Sequence, residues 1–129
     1  MIAYADSSAL VKLVLAEPES AALLTRLQSY DCVVSSTLAV VEVTRAARRV
    51  GGDAAVRRAS TVLDNVALLS IDRAVLRRAA ALPREVLRSL DAIHVASALE
   101  LGEDVTLVAY DRRVIDAAEV LQLPIASPS

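Results

Sequence analysis

Four acidic side chains stand where an acid either supports a helix or does chemistry: Asp6, Glu42, Asp91 and Asp111. If all four met at one site, about 6 Å apart at an effective dielectric of about 20, each pair would repel by roughly 3 kcal/mol and the six pairs by roughly 17. A small domain, with a stability of about 5–15 kcal/mol, cannot absorb that repulsion. Such a cluster must share protons or bind divalent cations, and an oxygen-only ligand set favours Mg²⁺ or Mn²⁺. A bound cation would supply a nucleophile and stabilise charge on a phosphate.

Three of these acids also have an ordinary structural explanation, because Asp6, Asp91 and Asp111 each stand at the start of a helical pattern. Asp is among the preferred helix N-caps, and the helix dipole favours an acid in the first turn. None of the three is therefore specific by itself.

Glu42 is more informative because it lies in an apolar helical segment, residues 38–43. A buried carboxylate needs a partner, since burying an unpaired charge is very costly. The structural explanation is an ion pair with Arg45, three residues further along the helix. The chemical explanation is a metal ion.

His94 follows Asp91 by one turn in a helix that is apolar on nearly all sides. Such a helix is expected to be buried in the centre of the fold. We expect His94 to be a hydrogen-bonded core residue rather than a metal ligand or a base.

Short β-rich runs alternate with helical patterns along the chain. The predicted strands are residues 2–5, 32–34, 67–69, 105–109 and 125–126, and the predicted helices lie near residues 8–16, 20–29, 37–50, 54–65, 73–82, 91–101 and 112–121. Strands separated by helices predict a single α/β domain over residues 1–129, a three-layer sandwich with a mostly parallel central sheet. Ligands of such sheets bind beyond the carboxyl ends of the strands, where Asp6 and Asp111 are expected.

Composition narrows the class of protein. The longest uncharged stretch, residues 32–41, is too short for a membrane span, and the N-terminus lacks the basic residues that begin a signal peptide. Cys32 is the only cysteine, so the chain has no internal disulfide. We therefore expect a cytoplasmic protein. The formal charge is −2, but the charges other than the four acids sum to +2, and nearly all of the cations are arginine. With three tyrosines as the only aromatic residues, any RNA contact should be made to the backbone rather than by base stacking.

Four segments that carry these acids resemble, in order and spacing, the motifs of PIN-domain ribonucleases, and specifically of the VapC toxins of bacterial toxin–antitoxin pairs. The segments are residues 4–12, 41–46, 87–96 and 108–113, and residues 123–125 resemble the closing strand. The resemblance implies a Mg²⁺-dependent endoribonuclease, with Mn²⁺ as a substitute, that cleaves transfer or ribosomal RNA. It further implies that Asp6, Glu42, Asp91 and Asp111 are both catalytic residues and metal ligands, that the chain forms a homodimer, and that a cognate VapB-type antitoxin inhibits it.

One position departs from the family pattern. The residue two before the last acid is often Thr or Ser in the family and is Ala109 here. The missing hydroxyl makes Asp116 an alternative fourth ligand to Asp111.

Other functions fit less well. A phosphatase of the haloacid-dehalogenase type needs a second Asp where Ser8 stands, and a receiver domain needs a lysine after a late strand, whereas Lys12 is the only lysine. A catalytically degenerate PIN-fold interaction domain is the remaining alternative. For a partner, the apolar stripe of the first two helices is the expected docking surface unless it packs on the sheet; the stripe comprises Leu10, Val14, Leu23 and Leu27.

Overall fold

Five short strands and six helices alternate along the chain in the computed structural model, which describes residues 1–83 and 87–129. In chain order they are β1 Ile2–Ala5, α1 Ser7–Val14, α2 Ser20–Leu27, β2 Cys32–Ser36, α3 Leu38–Asp64, β3 Ala67–Leu69, α4 Arg73–Ala81, α5 Ser89–Glu100, β4 Val105–Val108, α6 Arg112–Val120 and β5 Ile125–Ala126. No helix of the described ranges is long and apolar enough to cross a membrane.

The strands form one sheet in the order β3-β2-β1-β4-β5, and every pair is parallel. The predicted α/β sandwich with a parallel sheet is therefore confirmed. Strand β1 lies at the centre, and Ala5 at its end is in register with Val108 at the end of β4. The chain order reverses between these two strands, which makes their carboxyl ends the expected place for a ligand. Asp6 follows one strand end and Asp111 lies just beyond the other.

Most predicted boundaries hold within two residues. Strand β2 is longer than predicted because Ser35 and Ser36 pair with β3. Helix α5 begins at Ser89, two residues before the predicted start, so that Asp91 lies inside its first turn rather than at its opening.

The break between the two predicted helices of residues 37–50 and 54–65 is present as a kink at Gly51-Gly52, where two helical segments of α3 meet. Gly52 has φ +63° and ψ −153°, a conformation that residues with a Cβ adopt only under strain. At Gly51 a Cβ would lie 2.6 Å from the Cβ of Ala55, so the close approach of the two helical segments also requires glycine.

Two hydrophobic clusters cover the two faces of the sheet. One joins α1, α2 and α3 to the sheet residues Ala3, Ala5 and Val108, and the other joins α5 and α6 to Tyr4 and Leu107.

The stripe expected to dock a partner belongs to the first of these clusters. Its members Leu10, Val14, Leu23 and Leu27 are at most 6% exposed. The expectation of a docking surface on this stripe is therefore wrong, since the same apolar periodicity serves internal packing.

Candidate active site

Asp6 is both a helix cap and a buried carboxylate at the end of the central strand. It is the N-cap of α1, where its Oδ1 accepts hydrogen bonds from the backbone N–H of Ala9 at 3.0 Å and from Oγ of Ser8 at 2.6 Å. The residue is only 4% exposed. Burial raises the pKa of the Asp6 carboxyl to about 6, against the lowering effect of the Ser8 hydrogen bond. Asp6 is therefore a helix cap and at the same time a buried carboxylate at a strand end.

Ser8 connects Asp6 to the segment that follows β4. Its hydroxyl donates to Asp6 and accepts a hydrogen bond from the backbone N–H of Tyr110 at 3.1 Å. Ala109, the position at which the family often has a hydroxyl, is fully buried. Ser8 therefore supplies a hydroxyl from α1 to Asp6, and not to Asp111, the acid that follows Ala109. The sequence analysis used Ser8 only to exclude a phosphatase. A serine two residues after a capping Asp nevertheless indicates a hydroxyl that can donate a local hydrogen bond to that carboxylate.

Glu42 projects from the first turns of α3 and has a partner from a distant part of the chain. Its Oε1 accepts a hydrogen bond from Oγ of Ser7 at 2.6 Å and lies 2.7 Å from Nε2 of His94. The alternative explanation, an ion pair with Arg45, does not hold, because α5 delivers His94 to this carboxylate from 52 residues away. Burial alone would raise the pKa of Glu42, but the hydrogen bonds from His94 and Ser7 outweigh it and lower the pKa.

His94 is a buried, hydrogen-bonded residue, as predicted. It is 2% exposed, and its Nδ1 lies 2.7 Å from the hydroxyl of Tyr4 on β1. The two rings meet edge to face, with centroids 5.9 Å apart.

Asp91 lies in the first turn of α5, is partly buried and has other acids close to it. Burial raises the pKa of its carboxyl, and the negative charges of Asp111 and Glu42 raise it further. Asp91 in turn contributes to the raised pKa of Asp6. Each of the four predicted acids is therefore close enough to at least one other to perturb its charge state.

Asp111 and Asp116 differ in their surroundings. Asp111 caps α6, with its Oδ1 accepting from the backbone N–H of Arg113 at 2.8 Å, and its charge acts on Asp91. Asp116 is exposed and forms an ion pair with Arg112 at 3.0 Å. Of the two candidates for the fourth ligand, Asp111 is the one whose charge helps to raise the pKa of Asp91.

The residues present fit a hydrated divalent cation rather than a closed protein cage. Across residues 1–83 and 87–129, no three His, Cys, Asp or Glu side chains are grouped so as to hold one ion by themselves. Mg²⁺ is commonly held by one or two carboxylates together with water and substrate phosphate. In the same ranges, the hydrogen bonds to Asp6 and Glu42 all go to one oxygen of each carboxylate, Oδ1 and Oε1 respectively. The other oxygen of each is available to a cation or its water.

An apolar groove lies away from the acids. It has a volume of about 570 Å³ and lies between α1, α2 and α3, and its mainly apolar lining includes Leu13, Leu24, Val33 and Val62. Leu24 is half exposed. The groove has no cluster of carboxylates and offers a surface for an apolar partner rather than for a phosphate.

Comparison with known proteins agrees with this fold. The profile of the PIN domain matches residues 3–120. Ribonuclease VapC46 of Mycobacterium tuberculosis is 47% identical over 129 residues, which cover 98% of this chain and 97% of the relative. VapBC2 from Rickettsia felis, solved bound to a DNA fragment from its promoter, superposes with a TM-score of 0.79 at 12% identity and covers both chains completely. A toxin–antitoxin complex from Klebsiella pneumoniae superposes with a TM-score of 0.75 at 19% identity, covering 98% of each chain.

Proposed function

The chain belongs to the PIN-domain family, and on that premise we propose that it is a divalent-metal-dependent endoribonuclease, acting in the cytoplasm as the toxin of a toxin–antitoxin pair. The observation that carries the proposal is the buried Asp6 at the end of the central strand, with a raised pKa and Asp91 near it. A carboxylate that is so costly to bury is best explained by a cation that binds it.

Asp6 and Asp91 would hold Mg²⁺ or Mn²⁺, with Glu42 and Asp111 at the flanks of the site. The cation supplies an activated water and neutralises charge on the scissile phosphate. Asp6 contributes a rigid ligand, because two hydrogen bonds hold its Oδ1. Asp91 contributes a carboxylate at the positive end of α5, where the helix dipole favours the ionised form.

RNA would be held by its phosphates. Arg88 is the N-cap residue of α5 and its charge acts on Asp91, while Arg113 follows Asp111 on α6. Both side chains are exposed. Arginine at the edge of an acidic metal site provides bidentate phosphate contacts that carry no base specificity. Cleavage of a transfer or ribosomal RNA would then depend on the shape of the substrate around the scissile bond.

A partner protein is proposed because similar solved structures are toxin–antitoxin complexes. A ribonuclease acting on cellular RNA would poison its host unless it were inhibited. The groove between α1, α2 and α3 replaces the buried stripe as the proposed docking surface, because Leu13 and Leu24 line it from the outer sides of the first two helices. It would take an apolar helical face of a VapB-type antitoxin. The family resemblance also implies a homodimer.

The decisive experiment is cleavage of purified RNA by the purified chain with Mg²⁺, with Mn²⁺ and with excess EDTA. Cleavage should require the metal and should disappear in Asp91→Asn. Sequencing of the 5′ ends of the fragments would then identify the substrate. Cleavage that persists unchanged in EDTA would exclude the metal mechanism. Folded, metal-loaded protein that cleaves neither transfer nor ribosomal RNA would instead favour a catalytically degenerate interaction domain.

A further inference from the structure

A continuous chain of hydrogen bonds runs through the buried side of the site and involves residues from four elements. Tyr4 of β1 contacts Nδ1 of His94 on α5 at 2.7 Å, and Nε2 of His94 contacts Oε1 of Glu42 on α3 at 2.7 Å. Ser7, the first residue of α1, donates to the same Oε1 at 2.6 Å and lies 3.2 Å from Nε2 of His94. Two polar groups therefore converge on one oxygen of Glu42.

The direction of the hydrogen bond between His94 and Glu42 follows from the chemistry of the acceptor. An ionised Glu42 only accepts hydrogen bonds, so Nε2 must carry the proton that points at Oε1. The Tyr4 hydroxyl, which burial keeps as an O–H group by raising its pKa, lies at the other ring nitrogen, Nδ1.

We propose that His94 is a positioning residue for the metal site: its Nε2–H, together with the Ser7 hydroxyl, fixes Oε1 of Glu42 and leaves Oε2 for the cation or its water. The inference rests on the proposed function, since it assigns a role around the same carboxylates. His94 itself is neither a ligand nor a base, because both of its ring nitrogens are engaged with Tyr4 and Glu42.

His94 and Ser7 would act on the cation only through Glu42, because each holds Oε1 and neither is placed as a ligand. Partners of this kind, which hold a metal ligand without touching the metal, commonly change metal affinity by 10- to 100-fold when they are removed.

The proton on Nε2 can be tested without any measurement of activity. His94 is the only histidine in the chain, so ¹⁵N labelling of histidine yields a single ring in the NMR spectrum. In the metal-free protein Nε2 should carry a proton, and addition of Mg²⁺ should leave that proton in place. An Nε2 without a proton, or direct coordination of either ring nitrogen by the added metal, would overturn the proposal.

The positioning role can be tested through the affinity for Mn²⁺ alone, measured by calorimetry. The amide of Gln reaches the position of Nε2, whereas that of Asn reaches only the position of Nδ1. His94→Gln should therefore retain affinity within about 3-fold, and His94→Asn should weaken it by roughly 10-fold or more. Ser7→Thr and Ser7→Ala form a second pair, since Thr keeps the hydroxyl and Ala removes it.

The two pairs of variants separate hydrogen bonding from packing. Affinity that is retained in His94→Gln and Ser7→Thr but lost in His94→Asn and Ser7→Ala supports the proposal. The proposal would be contradicted if all four variants bound Mn²⁺ as tightly as the wild type, or if all four lost Mn²⁺ affinity to the same extent. If His94→Asn does not fold, as judged by circular dichroism, the Ser7 pair decides. Absence of RNA cleavage by the wild type would contradict the proposed function but leave both of these measurements interpretable.

Discussion

At the scale of single residues, Asp6 does two things that are usually treated as alternatives. Its Oδ1 caps α1 through the N–H of Ala9, and the burial of the side chain keeps its charge unfavourable. Glu42 is different, because hydrogen bonds from His94 and Ser7 favour its ionised form in the fold. Two carboxylates of one site therefore have opposite effects on the stability of the metal-free protein.

Asp6→Asn should stabilise the metal-free protein near pH 7 while abolishing metal-dependent cleavage. Asn is as good an N-cap as Asp, so the substitution removes the buried charge and keeps the cap. We expect the free energy of unfolding in EDTA to rise by about 1–3 kcal/mol, measured by urea denaturation.

The matched control for this substitution is Asp72→Asn. Asp72 caps α4 through the N–H of Val75 at 2.9 Å in the same way, but it is exposed. The Asp72→Asn substitution should change the free energy of unfolding by only a few tenths of a kcal/mol. A loss of stability in Asp6→Asn would mean that the ionised carboxylate itself stabilises the fold.

The pH dependence of stability should have the reverse sign of that usual for a carboxylate. The pKa of Asp6 in the fold is about 6, above its ordinary value of 3.8. The contribution of Asp6 to the free energy of unfolding is therefore fully present below about pH 4. It is lost as the pH rises through 6, and the total loss is about 3 kcal/mol. The difference between urea denaturation of wild type and of Asp6→Asn in EDTA, measured from pH 4 to pH 7, isolates this contribution. A difference that is flat across this range would contradict the raised pKa.

At the scale of elements, the site is assembled by strand ends and helix starts. Strands β1 and β4 are parallel neighbours, so Asp6 and the segment leading to Asp111 emerge at the same edge of the sheet. Helix α5 adds Asp91 in its first turn and His94 one turn later, on a helix whose residues 94–98 are all buried. The acid of α3, Glu42, is oriented by contacts with two other helices, through His94 of α5 and Ser7 of α1.

Asp111 rather than Asp116 is expected to complete the site. Asp111→Asn should lower cleavage by on the order of tenfold or more, and Asp116→Asn should have little effect, because Asp116 is paired with Arg112 at the surface. Asn preserves the cap of α6, so a loss of activity would not reflect unfolding of that helix. Initial rates at saturating Mg²⁺ provide the comparison. The reverse ranking would show that Ala109 marks a rearranged site.

At the scale of the whole molecule, the acidic site and the apolar groove are separate surfaces, lined by different residues. A partner that binds the groove would therefore contact the enzyme without needing to resemble RNA. This separation allows inhibition and catalysis to be altered independently.

Leu24→Glu should weaken the complex with the proposed VapB-type antitoxin while leaving RNA cleavage intact, because it places a charge in the apolar groove. Leu76→Glu is the matched control, since the two leucines are 51% and 50% exposed and Leu76 lies on α4 outside the groove. Co-expression growth assays and pull-downs measure the effect. Expression of Asp91→Asn alone should be harmless. Growth arrest by that variant as severe as by the wild type would show that toxicity has another source.

Local sequence determined a large part of this protein. Alternating β-rich and helical segments predicted the parallel sheet, and the strands of residues 2–5, 67–69 and 125–126 have the predicted bounds. The rule that ligands bind beyond the ends of parallel strands directed attention to Asp6 and Asp111 without any knowledge of the packing. These features are predictable because they depend on neighbours within a few residues along the chain.

Tertiary structure alone decided the partners of the acids and which apolar surface is covered. The pairing of Glu42 with His94 spans 52 residues, and that of Tyr110 with Ser8 spans 102. Periodicity shows that one face of a helix is apolar, but not whether a sheet or another protein covers it, which is why the sequence left both alternatives open for the stripe of α1 and α2. The physical reason is the same in each case: these contacts depend on how whole elements pack, and a short window of sequence does not contain that information.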